Sequence, residues 1–411
     1  MFSKGKKAAT NSLLPCSFFI SKITALDNNL SYHYIIAGAG ASGLSLAIRL
    51  IDAGLHRHKR ILLIDKDDKK QNDRTWCFWE KEADRFESIV YKKWETFNFY
   101  ASDALLELDI KPYTYKMIRG IDFYDYCKNI IDQTPNVDWI KDDIQSIETV
   151  DNQTIVKTNK QTYTADYTFS SLFSRDTLSL KDNEYMLLQH FKGYIIETKT
   201  PFFNPQNATF MDFRVDQTHG TTFVYVLPFS PTRTLVEYTL FTEGVLGDAE
   251  YDAALEDYIK TYLNINDYDI IETEFGIIPM TDYTFPTQKG HVVYIGTAGG
   301  FTKASSGFTF KNIQKKTETL VKQLTAGKKP TDIDLKTPWR FQKYDATLLN
   351  ILANNKLEGK AIFEQMFSTL PAPLILSFLD NTTTILEEMR IFSKLPTQVF
   401  FMSAMKELTK A

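Results

Sequence analysis

A glycine-rich turn between an apolar strand and a helix constrains the fold of this 411-residue chain more than any other feature. Residues 34–37 form a short apolar run, Gly-Ala-Gly-Ala-Ser-Gly follows at 38–43, and apolar side chains then recur at helical spacing. A second apolar run at 61–64 ends at Asp65. This order of strand, glycine turn, helix and strand predicts a Rossmann-type βαβ unit with two parallel strands in one sheet.

Each glycine of the turn has a separate role in such a unit. Gly38 makes the tight turn, Gly40 lets the backbone approach a pyrophosphate, and Gly43 lets the helix pack against the strand. The helix N-terminus then faces the phosphates, and Asp65 accepts a hydrogen bond from a ribose hydroxyl. The sequence therefore predicts a dinucleotide site, with a glycine-rich turn in an unrelated α/β fold as the alternative.

A second glycine turn favours FAD over NAD as the dinucleotide. Residues 292–295 form another apolar strand, Gly-Thr-Ala-Gly-Gly follows at 296–300, and a helix is predicted from residue 305 to residue 322. Two such turns separated by a long insertion are typical of FAD enzymes whose nucleotide-binding fold is interrupted by a substrate domain. FAD is therefore the predicted cofactor.

The region between the two glycine turns has the pattern of an antiparallel sheet. The aromatic and β-branched runs at 221–227 and 234–241 are joined by a turn and predict a hairpin. Alternation along the second run places Glu237 on the same face as Leu235 and Phe241. A carboxyl among apolar neighbours has a raised pKa and suits a general acid. The alternative is an ordinary carboxylate on a solvated face.

These patterns predict an α/β protein, α+β overall. A Rossmann-type FAD-binding domain is interrupted by an antiparallel-sheet substrate domain and followed by C-terminal helices. The predicted boundaries are a disordered or mis-started extension (1–31), the FAD-binding domain (32–110 and 270–330, with a partial contribution from 111–170), the substrate domain (171–269) and the helical region (331–411).

Composition and charge exclude several classes of protein. Lys and Arg number 47 against 51 Asp and Glu, a net charge of −4 that provides no basic surface for nucleic acid. Three scattered cysteines and six histidines form no disulfide framework and have no metal-ligand spacing, so we expect a reducing compartment and no metal site. No apolar run approaches the roughly 18 residues that a membrane span needs.

A tryptophan-rich segment after the second strand resembles a known family. The segment reads Asn-Asp-Arg-Thr-Trp-Cys-Phe-Trp-Glu at 72–80 and is similar to the signature of the lycopene beta-cyclases, flavoproteins of carotenoid biosynthesis. Further segments resemble the family in the same order, and they lie at 211–214, 223–228, 235–239, 275–280 and 296–310. The resemblance extends over about residues 33 to 400.

The resemblance implies a redox-neutral cycloisomerisation on reduced FAD, with NAD(P)H as the electron donor. An acid protonates the terminal double bond of lycopene, a neighbouring alkene attacks the resulting carbocation, and loss of a ring proton gives a β-ring. Glu237 matches the acidic residue of the family's Phe-x-Glu-Glu-Thr segment and is the predicted acid. Tyr238 replaces the second acidic residue of that segment, so a pair of adjacent carboxylates is not encoded there.

The resemblance also predicts further residues of the site. Gly296, Ala298 and Gly299 are expected to contact the cofactor, whereas Thr297 stands where many FAD enzymes have an aspartate. Arg119 resembles an arginine that such flavoproteins direct at the cofactor, with a solvated charge at a helix start as the alternative. The predicted lining of the substrate site is Trp76, Trp79 and Tyr238, with core packing as the alternative for the tryptophans.

The substrate of this family determines the predicted partners. Lycopene or a related acyclic carotene is insoluble in water, so we expect a cytoplasmic protein that is peripherally associated with a membrane surface, and other carotenoid enzymes are possible partners. Apolar residues of the C-terminal third could form the docking surface or a helical core, and they are Phe363, Phe367, Leu370, Leu374, Ile375, Phe378, Ile391, Phe392, Phe400 and Phe401.

Two other functions fit the same pattern. An FAD-dependent monooxygenase or halogenase would share the fold but would consume oxygen and NAD(P)H stoichiometrically. A protein that binds carotenoid or FAD without catalysis would retain binding when Glu237 is replaced by Gln, whereas a cyclase would lose turnover.

Overall fold

The computed structural model describes residues 30–102 and 104–410, and within them the chain forms three sheets and a set of C-terminal helices. The extension predicted for residues 1–31 lies, up to residue 29, outside the described residues. The strands are β1 (Ser31–Ala37), β2 (Ile61–Asp65), β3 (Thr75–Glu80), β4 (Lys92–Trp94), β5 (Thr96–Tyr100), β6 (Leu105–Asp109), β7 (Thr114–Arg119), β8 (Val137–Lys141), β9 (Ile144–Val150), β10 (Gln153–Thr158), β11 (Thr162–Ser170), β12 (Met186–Glu197), β13 (Asn207–Asp212), β14 (Thr221–Pro228), β15 (Arg233–Thr242), β16 (Asp269–Thr281), β17 (Gln288–Lys289) and β18 (Val292–Tyr294). The α-helices are α1 (Ala41–Asp52), α2 (Gly120–Asp132), α3 (Asp248–Thr261), α4 (Phe310–Thr325), α5 (Trp339–Ala353), α6 (Gly359–Thr369), α7 (Ala372–Leu379), α8 (Ile385–Phe392) and α9 (Thr397–Leu408).

The first sheet contains the predicted βαβ unit. Its strand order is β17-β18-β11-β1-β2-β8, and the five strands from β18 to β8 are parallel. Helices α1, α2 and α4 pack on one face, and the β9–β10 hairpin contributes to the core on the other. Because both faces are covered, Ile35, Ile36, Leu62 and Leu63 are fully buried, as the continuous apolar runs predict. The predicted fold class is confirmed.

The second sheet is almost entirely antiparallel and has the order β16-β12-β15-β14-β13-β5-β6. The predicted hairpin is β14–β15, and its alternation is as expected. Leu235 and Phe241 face a core shared with the C-terminal helices, whereas Val236 and Tyr238 face a core shared with α3. Successive residues of β15 therefore point alternately to these two cores.

The strand pairing differs from the predicted domain boundaries. Strands β5 and β6 and the whole of β16 belong to the second sheet, although the sequence assigns them to the FAD-binding domain. The segment 111–170 supplies α2 and four strands of the first sheet, β8 to β11. The helix predicted from residue 305 begins at Phe310. Strand pairing brings together distant segments, so local patterns locate each strand but do not assign it to a sheet.

A small third sheet, β3-β7-β4, carries the tryptophan-rich segment. Strand β3 pairs antiparallel with β7, and Trp76 lies opposite Ile118. Trp76 contacts the core of the first sheet, whereas Trp79 belongs to the core of the second. Strand β3 therefore lies between the two larger sheets and supplies side chains to both.

The C-terminal helices bury most of the apolar residues that could have formed a docking surface. Phe363, Phe367 and Ile375 pack under the second sheet, which is the helical core that the sequence allows as an alternative. Of the ten residues considered for docking, Phe401 is exposed. No helix in the described residues is both long enough and apolar enough to cross a membrane.

Candidate active site

The first glycine turn has the geometry that a dinucleotide-binding turn requires. Gly38 has φ +97°, a left-handed conformation that favours glycine. A Cβ on Gly43 would lie 1.9 Å from the carbonyl oxygen of Gly38, so only glycine allows α1 to approach the strand this closely. Asp65 Oδ2 accepts a hydrogen bond of 2.6 Å from the backbone N–H of Ala39, which ties the end of β2 to the turn.

The N-terminus of α1 fits the diphosphate of FAD. The hydroxyl oxygen of Ser42 is buried there without a hydrogen-bond partner in the described residues, and a Cβ on Gly40 would have nothing within 4 Å. The first turn of α1 contains no acidic residue to repel an anion. An unpartnered hydroxyl beside free space at a helix N-terminus can therefore donate to a phosphate oxygen.

The second glycine turn meets the first. Gly296 has φ +62°, and a Cβ there would lie 3.1 Å from Cβ of Ser42. Gly296 and Thr297 line the same cavity as Ser42. Ala298 is buried, and a Cβ on Gly299 would lie 2.4 Å from the carbonyl oxygen of Tyr294, so these two residues shape the turn. Their contact with FAD stays a prediction.

A cavity of about 530 Å³ extends from the glycine turns to the second sheet. Gly40 and Ser42 line it at the first sheet, and Leu235, Glu237 and Glu274 line it at the second. The predicted dinucleotide site and the predicted acid thus share one cavity.

Glu237 does not stand alone in this cavity. It lies on β15 and Glu274 lies on β16, and Gly193 of the intervening strand β12 pairs with both. The two carboxyl groups therefore lie on neighbouring sides of Gly193, close enough for a proton on one to be shared with the other. Thr239 donates to Glu237 Oε1 at 3.1 Å, and Thr75 of β3 donates to Glu274 Oε2 at 2.9 Å.

The electrostatics of the pair favour one retained proton. Burial raises the pKa of Glu237 well above the ordinary glutamate value, and the negative charge of Glu274 raises it further. Burial also raises the pKa of Glu274, while hydrogen bonds from Glu237 and Thr75 oppose that rise. These directions favour a proton on Glu237, while Glu274 accepts a hydrogen bond from Thr75.

Neutral aromatic groups surround the pair. Tyr115 and Tyr225 line the cavity beside Glu237, and burial raises both of their phenol pKa values well above the ordinary range. Burial likewise raises the pKa of the Cys77 thiol, so this cysteine is neither a thiolate nor a nucleophile. The rings of Trp76 and Phe308 add to the lining. Aromatic faces next to a proton donor can stabilise a cation that forms there.

The three residues predicted to line the substrate site lie in different parts of the structure. Trp76 lines the cavity, whereas Trp79 is buried in the core and donates from Nε1 to the carbonyl oxygen of Leu376 at 3.1 Å. Tyr238 lies on the opposite face of the sheet, in the core shared with α3. Against the prediction, neither Trp79 nor Tyr238 lines this cavity, because core packing holds Trp79 and strand alternation turns Tyr238 away.

Arg119, which was predicted to contact the cofactor, makes local contacts in the structure. Its guanidinium makes two hydrogen bonds to Asp122, at 2.6 and 2.7 Å, and lies over the ring of Tyr91. This is the helix-start charge that the sequence allows as the alternative. Arg74, which pairs with Asp73 at 2.7 Å, lines the cavity instead.

Glu274 is the principal site residue that the sequence prediction lacks. Alternation along β16 would have placed Glu272, Glu274 and Gly276 on one face. That signal does not reveal that β12 brings β16 next to β15. Within the described residues, no group of three His, Cys, Asp or Glu side chains could hold a metal ion.

Comparisons with known proteins agree with this geometry. The family model described as "Lycopene cyclase protein" matches residues 34–405. A 75-residue segment is 44% identical to a lycopene beta-cyclase of a Paracoccus species, and the match covers 18% of this chain and only 19% of that relative.

Solved structures share the fold at low sequence identity. A flavoprotein/dehydrogenase from Cytophaga hutchinsonii is 12% identical with a TM-score of 0.61, over 92% of this chain and 100% of the other. Aklavinone-11 hydroxylase, solved with FAD and aklavinone, is 13% identical with a TM-score of 0.54, over 72% of this chain and 62% of the other. The chain therefore has the fold of FAD-dependent oxidoreductases.

Proposed function

The chain belongs to the lycopene cyclase protein family, and on that premise we propose that it is a lycopene beta-cyclase, which closes the acyclic ψ-ends of lycopene into β-rings. The observation that carries this proposal is the partly buried pair of Glu237 and Glu274 at the end of the cavity that begins at the glycine turns. A carboxylic acid that stays protonated at neutral pH is the group that protonation of an alkene requires.

The proposed reaction needs a proton and no net electron transfer. Glu237 donates its proton to the terminal double bond, which leaves a tertiary carbocation. The neighbouring alkene attacks that cation and closes the six-membered ring, and loss of a ring proton forms the new double bond. Tyr115 and Tyr225 present neutral rings beside Glu237 and so stabilise positive charge without quenching it.

The cavity also presents apolar and aromatic side chains to the carbocation. Its wall beside the acid comprises the side chains of Leu227, Leu235, Tyr225 and Phe308. Apolar and aromatic groups compete poorly as nucleophiles, and a dry site strengthens the electrostatic contacts within it.

FAD is the proposed cofactor, in its reduced form and with NAD(P)H as electron donor. Ser42 and the N–H groups at the start of α1 would hold the diphosphate, and Gly296 and Thr297 would lie beside it. When bound, the reduced flavin would supply an electron-rich ring system that carries negative charge.

A peripheral contact with a membrane is proposed because a carotenoid substrate resides in the lipid phase. The structure exposes apolar side chains on two consecutive C-terminal helices, namely Ile385, Leu386 and Met389 on α8, and Phe401, Met402 and Met405 on α9. The cations Arg390, Lys394 and Lys406 are exposed in the same region and suit anionic lipid headgroups. These residues replace the buried ones as the proposed docking surface.

The test is expression in a bacterial host that accumulates lycopene, with pigments identified by chromatography and absorption spectrum. Conversion to β-carotene is expected for the unmodified chain, and replacement of Glu237 by Gln is expected to reduce conversion by about 10²-fold to 10⁴-fold. The matched control is Glu272→Gln on β16, because Glu272 is partly exposed and pairs with Arg233. Unchanged lycopene in cells that contain folded, flavin-bearing protein would reject the proposal.

A further inference from the structure

One buried oxygen of Glu274 needs a hydrogen-bond donor, and Glu237 is placed to provide it. Oε1 of Glu274 is buried and accepts no hydrogen bond from any fixed donor in the described residues. Its other oxygen is held by Thr75 at 2.9 Å. A protonated Glu237 is the neighbour that can donate to the remaining oxygen, since the two carboxyl groups face each other across β12. Two ionised carboxylates at this spacing would repel, and two protonated ones would leave the threonine donors with weaker acceptors.

The meeting of the two carboxyls depends on a glycine. Gly193 is the β12 residue in register with both Glu237 and Glu274. A Cβ on Gly193 would lie 2.9 Å from Cδ1 of Leu235 and 3.1 Å from Cγ of Glu274. Its backbone is ordinary extended strand, so no left-handed φ requires glycine at this position. The absent side chain therefore leaves the space over β12 that Leu235 and Glu274 occupy, next to the strand position of Glu237.

We propose that Glu237 and Glu274 hold one proton between them and act as a single proton-donating and proton-accepting pair, with Gly193 as the positioning residue that lets them meet. This inference rests on the proposed cyclase function for its chemistry. It assigns Glu274 a catalytic role and Gly193 a structural role in keeping the pair together.

The pair balances the reaction without an external acid or base. The O–H bond of Glu237 breaks, its proton forms a C–H bond at the terminal alkene, and both electrons of the O–H bond remain on the carboxylate. Two negative carboxylates then lie beside the carbocation and stabilise it in a medium of low polarity. After ring closure the ring C–H bond breaks, its electron pair becomes the new double bond, and the proton returns to the pair.

The groups that face the pair come from four strands. Cys77 on β3, Tyr115 on β7 and Tyr225 on β14 are neutral, and each is electrostatically coupled to Glu237. Glu272 on β16 acts on Glu274, but it is partly exposed and paired with Arg233. None of these four neighbours is a cation, so the charge state of the pair is governed mainly by its two members.

Two variants of the flavin-loaded enzyme test the pair by pH profile. Glu274→Gln removes the negative charge that helps keep Glu237 protonated, so the alkaline limb of the activity profile is expected to move to lower pH by about one unit or more. The maximal rate is expected to fall roughly 10²-fold, because a base is lost as well. Gly193→Ala pushes Glu274 aside and is expected to move the same limb in the same direction, with a smaller loss of rate. Glu197→Gln, at the exposed end of β12, is the control and should leave the profile in place.

A measurement without turnover separates this inference from the proposed function. Infrared spectroscopy detects the carbonyl band of a protonated carboxylic acid. Such a band is expected at neutral pH, should be lost in Glu237→Gln, and should titrate at lower pH in Glu274→Gln. If the unmodified protein fails to cyclise lycopene, this titration still decides whether the pair exists. The inference would be overturned if Glu274→Gln and Gly193→Ala both kept the rate, the pH profile and the infrared titration of the unmodified protein.

Discussion

At the scale of single residues, the cavity places the carboxyl group of Glu237 where it suits proton transfer but is costly to ionise. Glu237 is partly buried beside the buried side chains of Leu235, Tyr115 and Tyr225, where an ionised carboxylate is poorly solvated. Burial and the charge of Glu274 raise its pKa, so the folded protein retains a proton that the unfolded chain would release.

This retained proton makes stability depend on pH in a predictable direction. Between the ordinary glutamate pKa of about 4.3 and the raised pKa of Glu237, the folded state binds more protons than the unfolded state, so stability falls as pH rises. Glu237→Gln removes this titration and is expected to unfold at a higher temperature than the unmodified protein in mildly alkaline buffer. Thermal unfolding followed by circular dichroism at acidic and alkaline pH measures the difference. Equal pH slopes for the two proteins would contradict the raised pKa.

At the scale of elements, the close approach of α1 to β1 depends on the glycine turn. The carbonyl of Gly38 occupies the space where a side chain at Gly43 would begin, and the obstructing atom belongs to the backbone. A backbone atom cannot move away as the end of a flexible side chain can. Any substitution at Gly43 must therefore displace the helix N-terminus that is proposed to hold the diphosphate.

Gly43→Ala is accordingly expected to abolish stable FAD binding and to lower the melting temperature. The retained flavin absorbance of the purified protein measures the first effect, and thermal unfolding measures the second. Gly244→Ala is the matched control, because a Cβ at that position would meet nothing within 4 Å. A Gly43→Ala protein that purifies with a full complement of flavin would show that the helix does not depend on this contact.

At the scale of the whole molecule, the cavity is assembled from three sheets. Helix α1, which packs on the first sheet, supplies Ser42, the small third sheet supplies Thr75 and Cys77, and the second sheet supplies both glutamates. The C-terminal helices pack beneath the second sheet, yet α8 and α9 leave apolar side chains exposed. Leu386 is 80% exposed and Met402 is 63% exposed, which is unusual for such large apolar groups in consecutive helices.

The exposed faces of α8 and α9 are expected to bind lipid. Leu386→Ser and Met402→Ser should each weaken association with anionic vesicles by about fivefold to thirtyfold, because each removes about 1 to 2 kcal/mol of apolar burial. Co-flotation with vesicles measures the association, and far-ultraviolet circular dichroism checks that the fold is retained. Val150→Ser, at an exposed site on β9, is the control. Unaltered flotation of both helix variants would place the contact elsewhere.

The sequence by itself determined the features that depend on neighbouring residues. Glycine spacing and apolar periodicity predicted the βαβ unit and FAD-type fold, because each is a property of one short segment. Alternation along β15 correctly separated Leu235 from Val236, since side chains of a strand must point to opposite faces. The tryptophan-rich segment and the ordered motifs indicated the family, which the match over residues 34–405 confirms.

Only the tertiary structure decided which distant groups meet. Glu274 becomes the partner of Glu237 because β12 pairs with β15 on one side and β16 on the other, a strand order that no local pattern specifies. Arg119 bonds to Asp122, three residues away, whereas Arg74 reaches the cavity. The sequence thus predicted Glu237 as the acid, whereas the register of three strands placed Glu274 beside it.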